Sequence, residues 1–248
     1  MPHKLSMDYR TRIYDHYVNS RQTTLAPPSL EAMQPRMHLL NKIITEHFPI
    51  DKHINILDLG CGHGAFVYAC QQSGYDNVRG INRSPEQVAE AIKLGISGVT
   101  QGDLMEALKI LPDASQDIVI AFDVIEHFTK TEVLAFVDEV YRVLKNGGKW
   151  IIHVPNGESL FAAKIRYGDY THEMAYTRTS ITQLLKSSLF TTVLCQEDKP
   201  IAHGVISSIR ALCWQVIRIM LRFYMAVETG DASNEHVFSQ NFLSIAIK

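Results

Sequence analysis

The stretch Ile56-Leu57-Asp58-Leu59-Gly60-Cys61-Gly62-His63-Gly64-Ala65 carries the reading of the whole chain. An apolar strand runs into alternating glycines, and a helical pattern begins at Ala65. Glycines let a backbone approach a ligand closely, and the first turn of a helix offers N–H groups with no intrahelical partner. A strand, a glycine turn and a helix in that order predict a ligand loop at the carboxyl end of a parallel strand. Taken literally, the turn also satisfies the loose dinucleotide fingerprint GxGxxG/A.

Short apolar runs at 54–59, 78–81, 98–101, 118–122 and 150–154 alternate with helical stretches near 65–73, 84–94, 104–110 and 130–145. Such alternation predicts an α/β fold with a doubly wound, mostly parallel seven-stranded sheet covered on both faces. The chain reads as a single domain over 1–248. A helical cap occupies 1–53, broken at Ala26-Pro27-Pro28, where consecutive prolines cannot continue a helix. The binding core spans 54–156. The rest, 157–248, holds an acceptor-side insertion, a helix at 177–189, a strand at 192–196, an amphipathic helix at 207–227 and a closing strand at 242–247. Asn146-Gly147-Gly148 is expected to end the helix before it through a left-handed cap.

Composition excludes several classes. With 24 Lys+Arg against 26 Asp+Glu, the net charge of -2 lacks the basic excess of a nucleic-acid binder. Cys61, Cys70, Cys195 and Cys213 form no CxxC pair, so a reduced, cytoplasmic protein without a cysteine-based zinc site is expected. The opening MPHKLSMDYRTRIYDHY has no apolar core of a signal peptide, and the apolar run 211–217 is too short to span a bilayer.

The glycine turn reads in company with GINRSPEQV, QGDLMEAL, FDVIEHF and RVLKNGG, in that order. Together these motifs resemble the class I S-adenosylmethionine (SAM)-dependent methyltransferases, strongly over residues 54–156 and more loosely beyond. Within that group the insertion resembles O-methyltransferases of sugar- and polysaccharide-modifying clusters. The resemblance implies a Rossmann-like methyltransferase fold, SAM as cofactor, and a hydroxyl of a small molecule or sugar as acceptor.

The side chains suit that cofactor. Asp58 supplies a carboxylate for the ammonium of the amino-acid tail, and Gly60, Cys61, Gly62 and Gly64 bring bare backbone to the amino acid and ribose. Asp103 is placed to accept from the adenine amino group, the Leu104 N–H to serve a ring nitrogen, and Phe122 to pack on the adenine face. The second strand of the family normally ends in an acidic residue that holds both ribose hydroxyls. Here Asn82 stands there, followed by Arg83, and the charge assistance is lost. That departure leaves room for a modified SAM carrying negative charge near Arg83.

Two alternatives use the same loop. An NADP-dependent oxidoreductase would account for the missing acid, and Tyr141 with Lys145 matches a YxxxK spacing, although it falls in a crossover helix. A non-catalytic module that keeps a SAM-type ligand is the other.

Transfer to an alcohol benefits from a base, and His127 in Asp123-Val124-Ile125-Glu126-His127 follows the fourth strand. In a helical turn Asp123, Glu126 and His127 share one side, and a carboxylate would orient the imidazole. His172 in the insertion matches a histidine that completes a divalent-metal site in small-RNA 2′-O-methyltransferases. Asp123 is shorter than the glutamate it replaces there, so the base is favoured and a metal is not. His153, inside an apolar run, reads as a satisfied core histidine. The 207–227 helix sets Arg210, Gln215, Arg218 and Arg222 opposite an apolar arc. It packs on the sheet or a partner, or else makes peripheral membrane contact.

Overall fold

A computed structural model of the chain describes residues 9–16, 26–233 and 235–248. The helical reading of 1–8 and 17–25 lies outside them. Within the described cap, helix α1 (Tyr9–Tyr14) is short, and a single 3-10 turn leads into α2 (Gln34–His47). The buried face of α2 is Met37, Leu40 and Ile44, spaced three to four apart as one helical stripe requires, with Ile43 beside them.

From there strands and helices alternate: β1 (Ile56–Leu59), α3 (Ala65–Gln72), β2 (Val78–Asn82), α4 (Pro85–Lys93), β3 (Val99–Gln101), α5 (Leu104–Lys109), β4 (Gln116–Phe122) and α6 (Lys130–Val143). The chain continues through β5 (Leu144–Pro155), α7 (Ala162–Arg166), α8 (Arg178–Ser187), β6 (Thr192–Glu197), α9 (Val205–Thr229) and β7 (Asn241–Ile247). The strand order is β3-β2-β1-β4-β5-β7-β6. All pairs through β5 are parallel, and β7 runs antiparallel between β5 and β6. This is the doubly wound, mostly parallel seven-stranded sheet expected of the alternating pattern. Two apolar layers cover it, one under α2 and α3, the other under α5, α6 and α8.

Helix α6 stops earlier than expected. Val143 and Leu144 are fully buried, and Leu144 turns extended (φ -69, ψ 139) to pair with Gln116 of β4. Burying those two side chains on the sheet wins over another helical turn. Gly147, at φ +76, therefore sits in the irregular start of β5 and caps no helix. Because β1 to β4 run parallel, their carboxyl ends bring the glycine turn, Asn82, Asp103 and Asp123 to one edge of the sheet.

Candidate active site

A cavity of about 420 Å³ opens at that edge, lined by Asp58, the glycine turn, Asn82, Asp103, Glu126 and His127, among others. Gly60 holds φ +74, and a Cβ there would stand 2.4 Å from Val124 Cγ2, so only glycine lets the turn pass so close. Asp58 is 2% exposed and its Oδ1 has no hydrogen-bond partner. Burial pushes its carboxyl up to about 7, against a smaller downward pull from Arg36. A buried carboxylate oxygen without a donor fits an incoming ammonium group. The Cys61 thiol is pushed up by burial and by Asp58, so it stays protonated and acts as wall.

Asn82 ends β2 buried, and its Nδ2 donates to Gln87 Oε1 at 2.9 Å. That bond orients the amide and presents Oδ1 as an acceptor for a ribose hydroxyl. Gln87 thus joins the site through a contact that reading residue by residue missed, although it lies inside the quoted GINRSPEQV motif. Arg83 lines the cavity, but Nη2 donates to Thr11 Oγ1 at 2.8 Å and its guanidinium lies 5.4 Å from the Tyr14 ring centroid. Its charge holds α1 in place, which weakens the case for a ligand with negative charge there.

Helix α1 is the larger omission. Arg10 makes two hydrogen bonds to Glu132 and reaches Glu173 at 3.3 Å, and Tyr9 also donates to Glu173. These bonds clasp α1 across the cavity, where Arg10 and Tyr14 form part of the lining. No motif marks these residues. The only signal was the density of Arg and Tyr in an otherwise unremarkable amphipathic stretch.

Asp103 caps α5, its Oδ1 accepting from Met105 N and Glu106 N. Both bonds fall on one oxygen, so Oδ2 remains for a ligand, and the Leu104 N–H lies in the helix's first turn, where no intrahelical acceptor exists. Phe122 lines the cavity from the end of β4. Its ring stacks on His153 (4.8 Å) and meets Phe66 edge-on (5.2 Å), on the α2/α3 face of the sheet. Leu104 and Met105 pack with the opposite layer. Side chains alternate along a strand, so Phe122 borders the cavity from the α2/α3 face of the sheet.

Asp123 departs from the helical turn expected of it. The turn after β4 is a 3-10 turn, Ile125–His127, and Asp123 adopts φ +55 ahead of it. Its carboxylate turns to His153 Nδ1 at 2.7 Å, while Asp198 approaches His153 Nε2 at 3.4 Å. Burial alone would push the His153 imidazole down, but the carboxylates, Asp123 foremost, lift it to about 10. In return, although burial acts the other way, His153 holds Asp123 below the usual carboxylate range. His153 is a satisfied core histidine, as expected, and it is charged.

Glu126, His127 and His172 do converge, with one ligand atom from each lying within 4.8 Å of the others. Thr171 Oγ1 gives its hydrogen to Asp169 Oδ1 at 2.6 Å and stands 2.8 Å from His127 Nδ1. The hydroxyl has one proton, so Nδ1 must donate and Nε2 is the basic nitrogen. The orienting carboxylate is therefore Asp169, acting through Thr171, and no spacing rule links either residue to the turn. Tyr14 hydrogen-bonds the same hydroxyl. His172 Nδ1 donates to the Ile165 carbonyl at 3.1 Å, which leaves its Nε2 basic, 4.0 Å from Glu126 Oε1. Glu126 is fully buried, neither oxygen has a hydrogen-bond partner, and burial with the nearby Asp123 charge raises its carboxyl well above the usual range.

Tyr141 and Lys145 stand elsewhere. The Tyr141 ring packs on Phe190, and Lys145 pairs with Asp117 at 2.7 Å, so the YxxxK spacing builds no site at the cavity.

Residues 57–152 match the family described as methyltransferase domain. Ajmaline N-methyltransferase of Rauvolfia serpentina is 35% identical over 109 residues, 42% of this chain and 37% of the relative. A probable S-adenosylmethionine-dependent methyltransferase of Mycolicibacterium smegmatis is 28% identical over 137 residues, 55% of this chain and 51% of the relative. The matches thus span between about a third and a half of those relatives. A SAM-dependent methyltransferase of Archaeoglobus fulgidus superposes with a TM-score of 0.64 at 20% identity, over 97% of this chain and 100% of that one. That likeness shows a Rossmann-like methyltransferase fold. The first relative is named for transfer to nitrogen, so the comparisons carry no preference for oxygen.

Proposed function

We propose, with a methyltransferase domain and its SAM cofactor as the premise, that this chain methylates a hydroxyl of a small molecule or sugar, with His127 as the base. The observation that carries this reading is the Asp169–Thr171–His127 chain, which fixes the imidazole tautomer and leaves Nε2 to take a proton. SAM supplies an electrophilic methyl group on a sulfonium. Asp58 Oδ1 would receive the ammonium of its tail, Asn82 Oδ1 a ribose hydroxyl, and Asp103 Oδ2 the adenine amino group. The displacement is in line, so most of the acceleration comes from holding the acceptor oxygen against the methyl carbon. His127 Nε2 would take the acceptor proton as the acceptor oxygen gains the methyl group and the sulfonium leaves as a neutral thioether.

A second reading rests on the convergence of Glu126, His127 and His172. Two imidazole nitrogens and a buried carboxylate fit a divalent cation, and each histidine has its Nδ1–H fixed by a hydrogen bond, as ligating imidazoles require. Such an ion would polarise the acceptor oxygen.

Product mass spectrometry with SAM and a panel of hydroxylated acceptors tests the main reading. His127→Ala should lower turnover by roughly 10²–10⁴-fold while leaving SAM affinity nearly unchanged. Activity that survives exhaustive chelation supports the base. Activity lost on chelation and restored by a divalent ion transfers the assignment to the metal.

A further inference from the structure

Helix α9, Val205–Thr229, is 25 residues long, about 37 Å at the rise of an α-helix. Only Ser207 on it is buried. Its arginine arc turns partly inward. Arg218 Nε lies 2.6 Å from Glu197 Oε2, Arg222 Nη2 reaches the Ala232 carbonyl at 3.4 Å, and Trp214 and Leu221 are half-buried on the same side. The outward side carries Ile209, Leu212, Val216, Ile219, Met220 and Phe223, each more than half exposed. An unpartnered apolar face of this size marks a surface that meets another phase or molecule.

From this arrangement we infer that α9 docks the protein on the surface of an anionic lipid bilayer, lying parallel to it. The width of the face selects that occupant. Ile209, Leu212, Val216, Ile219 and Phe223 follow a four-three spacing that could serve as the seam of a helix pair. Ile206, Met220, Val227 and Tyr224 lie beside that seam, are also exposed, and would stay bare in a two-helix contact, whereas a bilayer covers them all. Charge points the same way. Glu228, in the last turn beside Tyr224, is the one acidic residue of α9, so the seam from 209 to 223 lacks the opposite-sign pairs that paired helices place beside it. Arg210, exposed at the edge of the face, complements an anionic headgroup layer. The helix is not long and apolar enough to cross a membrane, which leaves the interface as its place. The acceptor-side insertion repeats the chemistry, with Leu160, Phe161, Tyr167 and Tyr170 exposed around the exposed Lys164. The inference stands apart from the methyltransferase reading, because it depends on the outer face of α9 and on no residue of the cavity.

Flotation of the full chain with phosphatidylcholine vesicles, with and without a quarter of phosphatidylglycerol, tests it. The chain should float with the anionic vesicles at least about tenfold more strongly than with the neutral ones. Leu212→Glu with Phe223→Glu should lower that binding at least about tenfold. Both side chains are exposed, so the thermal midpoint and SAM binding of the double variant should match the parent. Arg210→Glu should weaken binding to the anionic vesicles alone. No binding to either vesicle overturns the inference. A dimer in light scattering that the double variant dissolves, without vesicle binding, overturns it in favour of a second copy of the chain. Vesicle binding undiminished in the double variant overturns the assignment to α9.

Discussion

Thr171 Oγ1 and His127 Nδ1 stand 2.8 Å apart, and the Thr171 hydrogen is already committed to Asp169. That single commitment decides which imidazole nitrogen is basic. Thr171→Val keeps the shape and removes both bonds, so turnover should fall roughly 10–100-fold, the usual effect of losing an orienting partner. Thr171→Ser should restore most of it. SAM affinity, read by calorimetry, should be unchanged in both, and a large loss of affinity would instead make Thr171 part of the cofactor cradle.

Asp58 gives a pH dependence with a definite sign. Burial raises its carboxyl to about 7 in the free protein, so below that pH it is largely protonated and cannot receive an ammonium group as a carboxylate. SAM binding should therefore tighten as pH rises from 5 through about 7 and then level off. Asp58→Asn should flatten that rise and weaken binding by about 1–3 kcal/mol at pH 8. It should also raise the thermal stability of the free protein at that pH, because a buried charge with no donor on Oδ1 is gone. Equal pH slopes for parent and variant in titration calorimetry would show that another group controls binding.

Asn82→Asp should tighten SAM modestly, since a carboxylate accepts from both ribose hydroxyls with charge assistance. Gln87 can turn its amide to donate to the new carboxylate, so the 2.9 Å contact survives the change. Abolished binding would revive a ligand with negative charge at this end of the cavity.

The Asp123–His153 pair gives a second pH dependence. Its imidazole is 93% shielded and carries a proton up to about pH 10, against an ordinary value of 6.5. The stability it confers is complete below pH 6.5 and fades as pH rises from there through about 10. Asp123→Asn should cost about 1–3 kcal/mol in urea denaturation at pH 7, less than for a sealed pair, because Asp123 is 47% exposed and Asp198 remains. The difference from the parent should shrink at pH 10.

Most of the sheet was legible because buried parallel strands announce themselves as continuous apolar runs. Ile118 to Phe122 is one such run, set between polar Asp117 and Asp123. The glycine turn, Asp58, Asn82 and Asp103 were legible because they sit at fixed offsets from strand ends. What escaped has a common physical cause. The direction of Asp123 depends on a positive φ at the end of β4, and the orientation of His127 depends on residues 42 and 44 positions later. Arg10 meets Glu132 and Glu173 across more than a hundred residues. Local spacing rules describe neighbours on one element, and none of these contacts lies on one element. For α9 the composition of the helix was plain, but which arc faces the body was settled by Glu197, a partner on β6.

The placement of β7 between β5 and β6 has a consequence for how the protein is made. Residues 192–197 leave the ribosome with no strand to pair with, and their partner, 241–247, follows only after the whole of α9. Throughout that interval β5 presents a bare edge, with Trp150, Ile151 and Ile152 not yet covered by Ala246, Ile245 and Ser244. Open strand edges recruit other open edges. Synthesis stalled inside α9 thus exposes a sticky half-sheet. Lys248, whose backbone N–H bonds to Gly148 and whose side chain bonds to the Tyr141 carbonyl, then fastens the late strand to the elements made before it.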